Sequence, residues 1–140
     1  MNIDSIQDGI VIDHIEAGKG MEIFRLLGLD ALDCQVAIIK NAASRKMGKK
    51  DMIKIAANIP VNTDILGYVD PGVTVDVIHN GALVEKKKME LPEKLTNVIF
   101  CHNPRCITTT EQELPHIFRL TKRETREYRC IYCETKSGKA

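Results

Sequence analysis

The chain has 140 residues, of which 44% are hydrophobic and 28% are charged, and its formal net charge is +1. This length suits one ordinary domain or two small ones, and the apolar content is typical of a folded protein rather than a disordered one. No apolar run reaches the ~18 residues that a membrane span requires, and the acidic, polar amino terminus resembles neither a signal peptide nor a transit peptide. We therefore expect a cytoplasmic protein that does not enter a membrane.

Charged residues and cysteines are unevenly distributed along the chain. Residues 1–100 hold 12 Lys and Arg against 14 Asp and Glu, whereas residues 101–140 hold 8 against 5. Four of the five cysteines lie between residues 101 and 133, and the fifth, Cys34, stands in an apolar stretch. In a cytoplasmic protein such clustering favours a metal site over disulfides, and Cys34 is interpreted as a small buried side chain.

The first ninety residues alternate between strand-like and helix-like patterns. In chain order these are a strand at 9–15, a helix at 18–29, a strand at 34–42, a basic turn at 44–50, a strand at 51–57 and a short helix from Asn62 or Thr63 to Tyr68. A hairpin follows, because residues 73–79 and 82–89 flank Asn80-Gly81, the preferred pair for a type I′ turn.

The order β-α-β-β-α-β predicts an α+β protein whose residues 1–92 form a ferredoxin-like domain. Leu91-Pro92 marks a linker. Residues 93–140 are too few to build an independent core without a cross-link such as a structural metal ion. We expect them to form a small all-β zinc-binding domain.

The spacing of four cysteines predicts such a cross-link. The spacing is C-x4-C, then 23 residues, then C-x2-C, formed by Cys101, Cys106, Cys130 and Cys133. Two close pairs of thiolates can complete a tetrahedron around one Zn²⁺, and four cysteines leave no open position, so the predicted site is structural. His102 and His116 are competing ligands, while Arg105, Arg129 and backbone amides could offset the negative charge of the sulfurs. The alternative is four ordinary buried cysteines.

Lysines gather at two places in the otherwise acidic first domain. Lys50 and Lys54 lie four residues apart in a predicted strand, and Lys86 and Lys88 lie two apart in another. Because strand side chains alternate between faces, each pair shares a face, and two such pairs on neighbouring strands would form a pocket for a small polyanion such as a triphosphate. The alternative is a solvated set of lysines that protects an edge strand from aggregation.

Asp13 and His14 interrupt an apolar strand. The carboxylate could accept hydrogen bonds from ribose hydroxyls, and the histidine could meet a phosphate; alternatively, both are satisfied polar residues at a strand end. The sequence contains no nucleophile–base pair, phosphate loop, open metal site or dinucleotide fingerprint, so we expect no catalytic activity.

Together, the motifs resemble a known family. VIDHI at 11–15, KMGKKDMIKI at 46–55, LPEKLTNVIFCHNPRCIT at 91–108 and CIYCE at 130–134 resemble the regulatory chain of aspartate carbamoyltransferase, and they span nearly the whole chain. The resemblance implies an allosteric first domain that binds ATP or CTP, with UTP as a further candidate effector, and that forms a homodimer of regulatory chains. It also implies a zinc domain that docks on a separate catalytic chain, so that regulatory dimers link catalytic trimers in pyrimidine biosynthesis.

The resemblance also assigns effector-binding positions by their place in the motifs. The matching nucleotide contacts are Val11, Asp13, His14, Lys50, Lys54, Ile78, Leu83, Lys86 and Lys88. Ile3, Asp4 and Ile6 are further candidates. The chain departs from the family at Asp76, where asparagine is common, and at Gly81, which replaces a tyrosine, so the preference between bases stays open.

Two other functions fit parts of the sequence. A zinc-ribbon protein that binds nucleic acid would have a strongly basic tail with aromatic residues near its cysteines. Here the zinc-bound tail would carry a charge near +1 and only 4% of the chain is aromatic, so we expect no nucleic-acid partner. A free-standing nucleotide sensor with another partner is the second alternative, and co-purification with a catalytic trimer would separate it from a regulatory chain.

Overall fold

A computed structural model describes residues 6–137, and within it the chain divides into two compact units, residues 1–90 and 91–140. The strands are β1 (Gly9–Glu16), β2 (Val36–Ser44), β3 (Gly48–Ile55), β4 (Thr74–His79), β5 (Ala82–Lys88), β6 (Lys94–Thr96), β7 (Ile117–Lys122) and β8 (Glu127–Cys130). The α-helices are α1 (Gly20–Leu26), α2 (Thr63–Val69) and α3 (Ile107–Thr110), and a short 3-10 helix covers Leu29–Ala31. No helix in the described part of the chain is long and apolar enough to cross a membrane.

An antiparallel sheet organises the first unit, with the strand order β2-β3-β1-β4-β5. Alternate residues of its strands are apolar, so one face of the sheet packs against α1 and α2. The buried residues that form this core are Ile10, Ile12, Ile15, Ile23, Leu29, Ile53, Ile55, Leu66, Val69, Val73 and Val75. The predicted α+β class and the β-α-β-β-α-β order are confirmed, and β5 completes the predicted hairpin.

Local signals in the sequence set several element boundaries. The Asn62 side chain accepts hydrogen bonds from the backbone N–H groups of Asp64 and Ile65, at 3.0 and 3.2 Å, and so caps α2 as predicted. The helix predicted at 18–29, with Gly28 as its expected stop, covers Gly20–Leu26, and Gly28 with φ +66° lies just beyond its end. The basic turn predicted at 44–50 is also shorter, because residues 48–50 pair with Ala42–Ser44 as the start of β3.

The hairpin between β4 and β5 is confirmed, and it contains an irregularity. Asn80 and Gly81 both have positive φ, +52° and +78°, as a type I′ turn requires. The register shifts between Val77 and Ile78, so that Ile78 faces Leu83 while Val77 faces Glu85. One extra residue of β5 is therefore accommodated as a β-bulge.

The second unit is built on a three-stranded antiparallel sheet of order β6-β7-β8, with the single-turn helix α3 beside it. Its small core contains Leu95, Phe118 and Tyr128, each at most 1% exposed. The Tyr128 hydroxyl donates a hydrogen bond to the Pro92 carbonyl at 2.6 Å, which satisfies its polar end. This unit is the predicted small β domain with a cysteine cluster.

Candidate functional site

The four predicted ligand cysteines converge in the second unit. Cys101 and Cys106 lie in the loop that leads into α3, Cys130 is the last residue of β8, and Cys133 lies in the turn that follows. Their four Sγ atoms all lie within 4.8 Å of one another. Cys101 Sγ is 3.6 Å from Cys133 Sγ, and Cys106 Sγ is 3.7 Å from Cys130 Sγ.

The spacing of the sulfurs fits a tetrahedral metal centre. A Zn–S bond of about 2.3 Å gives a tetrahedron whose sulfur–sulfur edges are about 3.8 Å, close to both short distances observed. A disulfide would instead bring two sulfurs to about 2.05 Å, and all five cysteines are free thiols. Four soft ligands that surround one point, three of them buried, leave no position for a substrate. The residues present therefore fit a closed, structural site.

Backbone amides and a hydroxyl surround the sulfurs. Burial raises the pKa of Cys101 to about 12, although the backbone amide of Asn103 opposes this shift. Burial also raises the pKa of Cys133, but hydrogen bonds from the hydroxyl and the backbone amide of Thr135 outweigh it, and that pKa falls to about 6. Burial raises the pKa of Cys130 too, and the backbone amides of Cys133 and Tyr132 only partly oppose that shift. These donors are positioned to stabilise negative charge on the sulfurs.

The other residues suggested for this centre have different contacts. His116 Nδ1 accepts a hydrogen bond from the Cys101 backbone at 3.2 Å, and its ring lies edge-on to Phe100. The Arg129 guanidinium binds the Glu127 carboxylate at 3.1 Å and donates to the Glu134 carbonyl at 2.9 Å. His116 and Arg129 therefore support the loops around the cluster, and the atoms that could hold a metal ion there are the four sulfurs.

The predicted nucleotide contacts of the first unit lie on one face of the sheet, opposite the apolar core. Residues that pair directly across neighbouring strands share a face. Val11 pairs with Lys54 on one side and with Asp76 on the other, and Asp76 pairs with Lys86. These four residues form a row across β3, β1, β4 and β5, which we call the middle row.

Two further rows flank the middle row. Towards the hairpin, Gly9 pairs with Ile78, and Ile78 pairs with Leu83, which makes an apolar row. On the other side, Asp13 pairs with Thr74, and Thr74 pairs with Lys88, which makes a polar row. The outer face of the sheet therefore changes from apolar to charged along β4.

Bulges bring two predicted residues onto this face. Leu83 and Lys86 differ by an odd number and would lie on opposite faces of a regular strand, but the bulge in β5 places Leu83 opposite Ile78. A second irregularity in β1 falls between Ile12 and Ile15, which are both buried. It leaves Asp13 and His14 together between them, with His14 at φ +60°.

Asp13, Lys50 and His14 on this face already have partners. Lys50 Nζ lies 2.9 Å from Asp13 Oδ1, and the backbone N–H of His14 donates to the same oxygen at 2.6 Å. Burial raises the pKa of Asp13. The hydrogen bonds from Lys50 and from the His14 backbone, together with the charge of Lys50, outweigh that effect, so the pKa lies below its usual value. His14 Nδ1 is 3.1 Å from the Thr74 hydroxyl. Thr74 was not predicted from the sequence, although its two-residue spacing from Asp76 and Ile78 would have placed it here.

The four predicted lysines differ in exposure. Lys54 is 8% exposed, Lys50 is half-buried, and Lys86 and Lys88 are exposed on β5. As the alternation predicts, Lys50 and Lys54 share one face of β3, and Lys86 and Lys88 share that face of the sheet. Ile6 is half-buried. Ile3 and Asp4 lie outside the described residues.

Asp76 is the polar residue on this face whose environment the sequence could not predict. Its Oδ1 is buried and has no hydrogen-bond partner among residues 6–137. Burial raises the pKa of this carboxyl, although Lys86 partly opposes the shift. The two carboxylates of the face thus differ, because Asp13 is held by Lys50 and His14 while one Asp76 oxygen is unsatisfied.

The chain thus combines a compact α+β unit, which has a polar, lysine-lined sheet face, with a small unit whose four cysteines are typical of a metal-binding domain. Residues 1–90 match the family described as aspartate carbamoyltransferase regulatory chain, allosteric domain, and residues 93–140 match the family described as its metal binding domain. The chain therefore belongs to the aspartate carbamoyltransferase regulatory chain family, and it is a regulatory chain rather than a catalytic one.

Individual relatives agree with this assignment. An aspartate carbamoyltransferase regulatory chain of Clostridium botulinum is 52% identical over 134 residues, which cover 96% of this chain and 92% of the relative. The corresponding chain of Clostridium tetani is 47% identical over 135 residues, covering 96% and 94%. That of Bifidobacterium longum is 44% identical over 134 residues, covering 96% of each chain.

Proposed function

We propose that this chain binds nucleoside triphosphates on the outer face of its first sheet and transmits their effect to a separate catalytic chain of aspartate carbamoyltransferase. ATP and CTP are the proposed effectors, with UTP as a further candidate. The observation that carries the proposal is the convergence of nine positions, predicted from four separate strand segments, on one face of a single sheet. Solvated edge lysines alone would not gather carboxylates and an apolar row around them.

The proposed roles follow the chemistry along this face. Lys50, Lys54, Lys86 and Lys88 surround the phosphates, since charge-assisted bonds to phosphate are strong. His14 adds a contact at the phosphates, and Asp13 lies at the ribose. Val11, Ile78 and Leu83 supply apolar contact for the base. Phosphate contacts do not distinguish ATP from CTP, so selectivity between them would come from the base end.

The second unit is proposed to hold one Zn²⁺ through its four cysteines and to dock on the catalytic chain. Zinc bound in this way would supply folding free energy to a unit with only a small core. This unit also exposes four large apolar side chains, Phe100, Ile107, Ile131 and Tyr132, by 38–54%. We propose that these side chains contact the catalytic chain.

The assembly that follows from the proposal is a cytoplasmic complex in pyrimidine biosynthesis. In it, homodimers of this regulatory chain join catalytic trimers, and the chemistry resides in the trimers. Coupling between an effector site and a distant active site is typically worth about 1–3 kcal/mol. The nucleotide therefore adjusts, rather than creates, the activity of the complex.

Reconstitution tests the proposal. The purified chain, loaded with zinc, would be mixed with the catalytic trimer of the same organism and separated by size, and aspartate carbamoyltransferase activity would be followed during titration with ATP, CTP and UTP. We expect a complex larger than the trimer, a nucleotide response in the complex, and no response in the free trimer. The proposal is wrong if no complex forms, or if the complex ignores all three nucleotides.

A further inference from the structure

The four clustered cysteines of the second unit differ in accessibility. Cys101, Cys106 and Cys130 are buried, at most 6% exposed, whereas Cys133 is half-buried. Cys133 lies in the turn that follows β8, directly after the exposed side chain of Tyr132. A thiolate reacts as a nucleophile only where a reagent can reach it. Cys133 is therefore the sulfur of the cluster that a solute meets first.

The sulfur best placed to react next with Cys133 is that of Cys101. Cys130 is held in β8, where it pairs with Phe118, and Cys106 is the residue on which α3 begins. Cys101 instead lies in the irregular segment between β6 and α3, and its Sγ is 3.6 Å from Cys133 Sγ. An approach of about 1.5 Å would bring these two sulfurs to the length of a disulfide bond, about 2.05 Å.

We propose that Cys133 and Cys101 form a redox-sensitive pair, which hydroperoxides oxidise to a disulfide, and that the second unit then no longer holds Zn²⁺. This inference rests on the proposed zinc site and adds a modification site to it. A closed structural centre uses four ligands, and the disulfide leaves only the thiolates of Cys106 and Cys130. The oxidised unit loses the folding free energy of the metal, and with it the surface proposed to dock on the catalytic chain.

The oxidation takes place in two balanced steps. The Cys133 thiolate attacks the peroxide, so that an S–O bond forms, the O–O bond breaks and hydroxide leaves, which gives a sulfenic acid. The Cys101 thiolate then attacks that sulfur, so that the S–S bond forms, the S–O bond breaks and a second hydroxide leaves. The two sulfurs supply the two electrons that reduce the peroxide, and protons from solvent convert both hydroxides to water.

A threonine hydroxyl restrains the reactive sulfur. Thr135 Oγ1 lies 3.1 Å from Cys133 Sγ and accepts a hydrogen bond from Asn103 Nδ2 at 3.1 Å, so its own proton can point to the sulfur. A hydrogen bond donated to a thiolate stabilises its charge and makes it a weaker nucleophile. Thr108 Oγ1 lies at the same distance, 3.1 Å, from the buried Cys106 Sγ. The two threonines therefore form a matched pair for a test.

Peroxide treatment of the full-length, zinc-loaded chain tests the proposal. Released zinc would be followed with a colorimetric chelator, and the products would be digested with trypsin without reduction and mapped by mass spectrometry. Trypsin cleaves after Arg105, so Cys101 and Cys106 fall in different peptides, and Cys130 and Cys133 share a third. We expect zinc release to accompany a disulfide that joins residues 95–105 to residues 130–136. Treatment with a dithiol and zinc should restore the metal content.

Two valine variants test the order of attack. Thr135→Val keeps the shape of the side chain but removes the hydrogen bond to Cys133, so zinc release should become about two- to tenfold faster. Thr108→Val makes the same change beside the buried Cys106, and the rate should change by less than about twofold. Metal analysis and thermal unfolding before peroxide is added check that both variants are folded and hold one zinc.

Several outcomes would overturn the proposal. It is wrong if peroxide leaves the zinc bound, if zinc leaves without a disulfide, or if the first disulfide contains Cys106. It is also wrong if Thr108→Val speeds zinc release as much as Thr135→Val, since the order of attack would then not follow the exposure of Cys133. Failure of the proposed zinc site gives a different result, because the chain would hold no zinc before peroxide is added.

Discussion

The ammonium group of Lys50 lies 2.9 Å from Oδ1 of Asp13, which joins β3 to β1 across the outer face of the first sheet. Both side chains are largely buried, at 16% and 14% exposure, so this ion pair is shielded more than a surface pair. Burial alone would raise the pKa of Asp13, yet the hydrogen bond from Lys50 and the neighbouring donors keep that pKa below its usual value. Asp13 is therefore ionised whenever a nucleotide would bind at neutral pH.

Replacement of Lys50 by methionine should raise the pKa of Asp13. The change removes a hydrogen bond and a positive charge from the carboxylate but keeps an apolar stem of similar length. Because the folded-state pKa lies below the unfolded value of about 3.9, the ion pair stabilises the fold above that pH and loses its effect as the pH falls through the folded-state pKa. Carbon-detected NMR of the Asp13 carboxyl should show its titration midpoint at a higher pH in Lys50→Met.

Lys46→Met is the matched control for this titration. Lys46 is exposed in the turn between β2 and β3 and has the same charge as Lys50. We expect its replacement to leave the titration of Asp13 unchanged, since an exposed charge is screened by solvent and Lys46 makes no ion pair with Asp13. If both variants moved the midpoint equally, the pKa of Asp13 would reflect general charge and not the ion pair with Lys50.

Lys54 provides a test of the proposed phosphate site. Its side chain is buried in the middle row, opposite Val11, and Lys54→Met removes the charge while keeping the apolar stem. A charge-assisted bond to phosphate is worth about 1.5–3 kcal/mol when desolvated, so ATP and CTP should both bind at least about tenfold more weakly. In the assembled enzyme, the response to both nucleotides should fall while activity without nucleotide changes much less.

The same Lys46→Met variant is the control for nucleotide binding, measured by calorimetry. Lys46 lies outside the predicted contacts and is exposed, so we expect a change in affinity of less than about twofold. Equal losses of affinity for Lys46→Met and Lys54→Met would mean that nucleotide binding depends on the overall positive charge and not on a specific contact with Lys54. A loss for one nucleotide alone at Lys54 would place this lysine at the base instead of the phosphates.

Local sequence signals predicted those parts of the fold that neighbouring residues determine through backbone dihedral angles, helix capping and strand alternation. Asn80-Gly81 predicts the hairpin because both residues tolerate the positive φ of a type I′ turn, and Asn62 predicts the start of α2 because its side chain can cap free N–H groups. Alternation alone correctly placed Lys50 with Lys54 and Lys86 with Lys88, since β3 has no extra residue between its lysines. The cysteine spacing likewise predicted which sulfurs converge.

What the sequence could not predict depends on strand pairing. The bulge that places Leu83 opposite Ile78 arises only when β4 and β5 pair, and nothing in the alternation of residues 82–88 marks the extra residue. The same holds for Asp76, whose unsatisfied oxygen results from burial by its neighbours in three dimensions. The start of β3 at Gly48 was missed because a basic segment with a glycine resembles a turn until its partner strand is known.

Gly20→Ala should destabilise the first unit. Asp51 is fully buried and accepts hydrogen bonds from the backbone N–H groups of Gly18, Gly20 and Asn41, at 3.0–3.1 Å. A Cβ on Gly20 would lie 2.8 Å from Asp51 Oδ2, so the carboxylate would have to move away from donors that keep its pKa low. We expect a loss of about 1–3 kcal/mol in unfolding free energy, measured by urea unfolding at neutral pH with zinc present.

Gly72→Ala is the comparison for that substitution. Its nearest contact would be Asp70 Oδ1 at 3.4 Å, and its φ lies outside the left-handed region. We expect a smaller effect than at Gly20, because ordinary van der Waals contact replaces a clash with a buried carboxylate. An equal effect at both positions would show that the loss comes from glycine removal in general, and that the Asp51 hydrogen bonds near the start of α1 do not depend on Gly20.

Cys130→Ser should abolish stoichiometric zinc binding and unfold the second unit. Cys130 ends β8, its sulfur lies 3.7 Å from that of Cys106, and serine is a poor ligand for Zn²⁺ where four thiolates form a closed site. Structural zinc supplies about 10–16 kcal/mol in small domains, far more than this unit's core of Leu95, Phe118 and Tyr128 can replace. Metal analysis should give one zinc in the unmodified chain and in the control Cys34→Ser. Cys34 packs against the core of the first unit and is not part of the cluster.

A thiol-reactive mercurial should likewise release the catalytic trimers while the first sheet stays folded. Tight zinc and normal assembly in Cys130→Ser would refute the four-cysteine site.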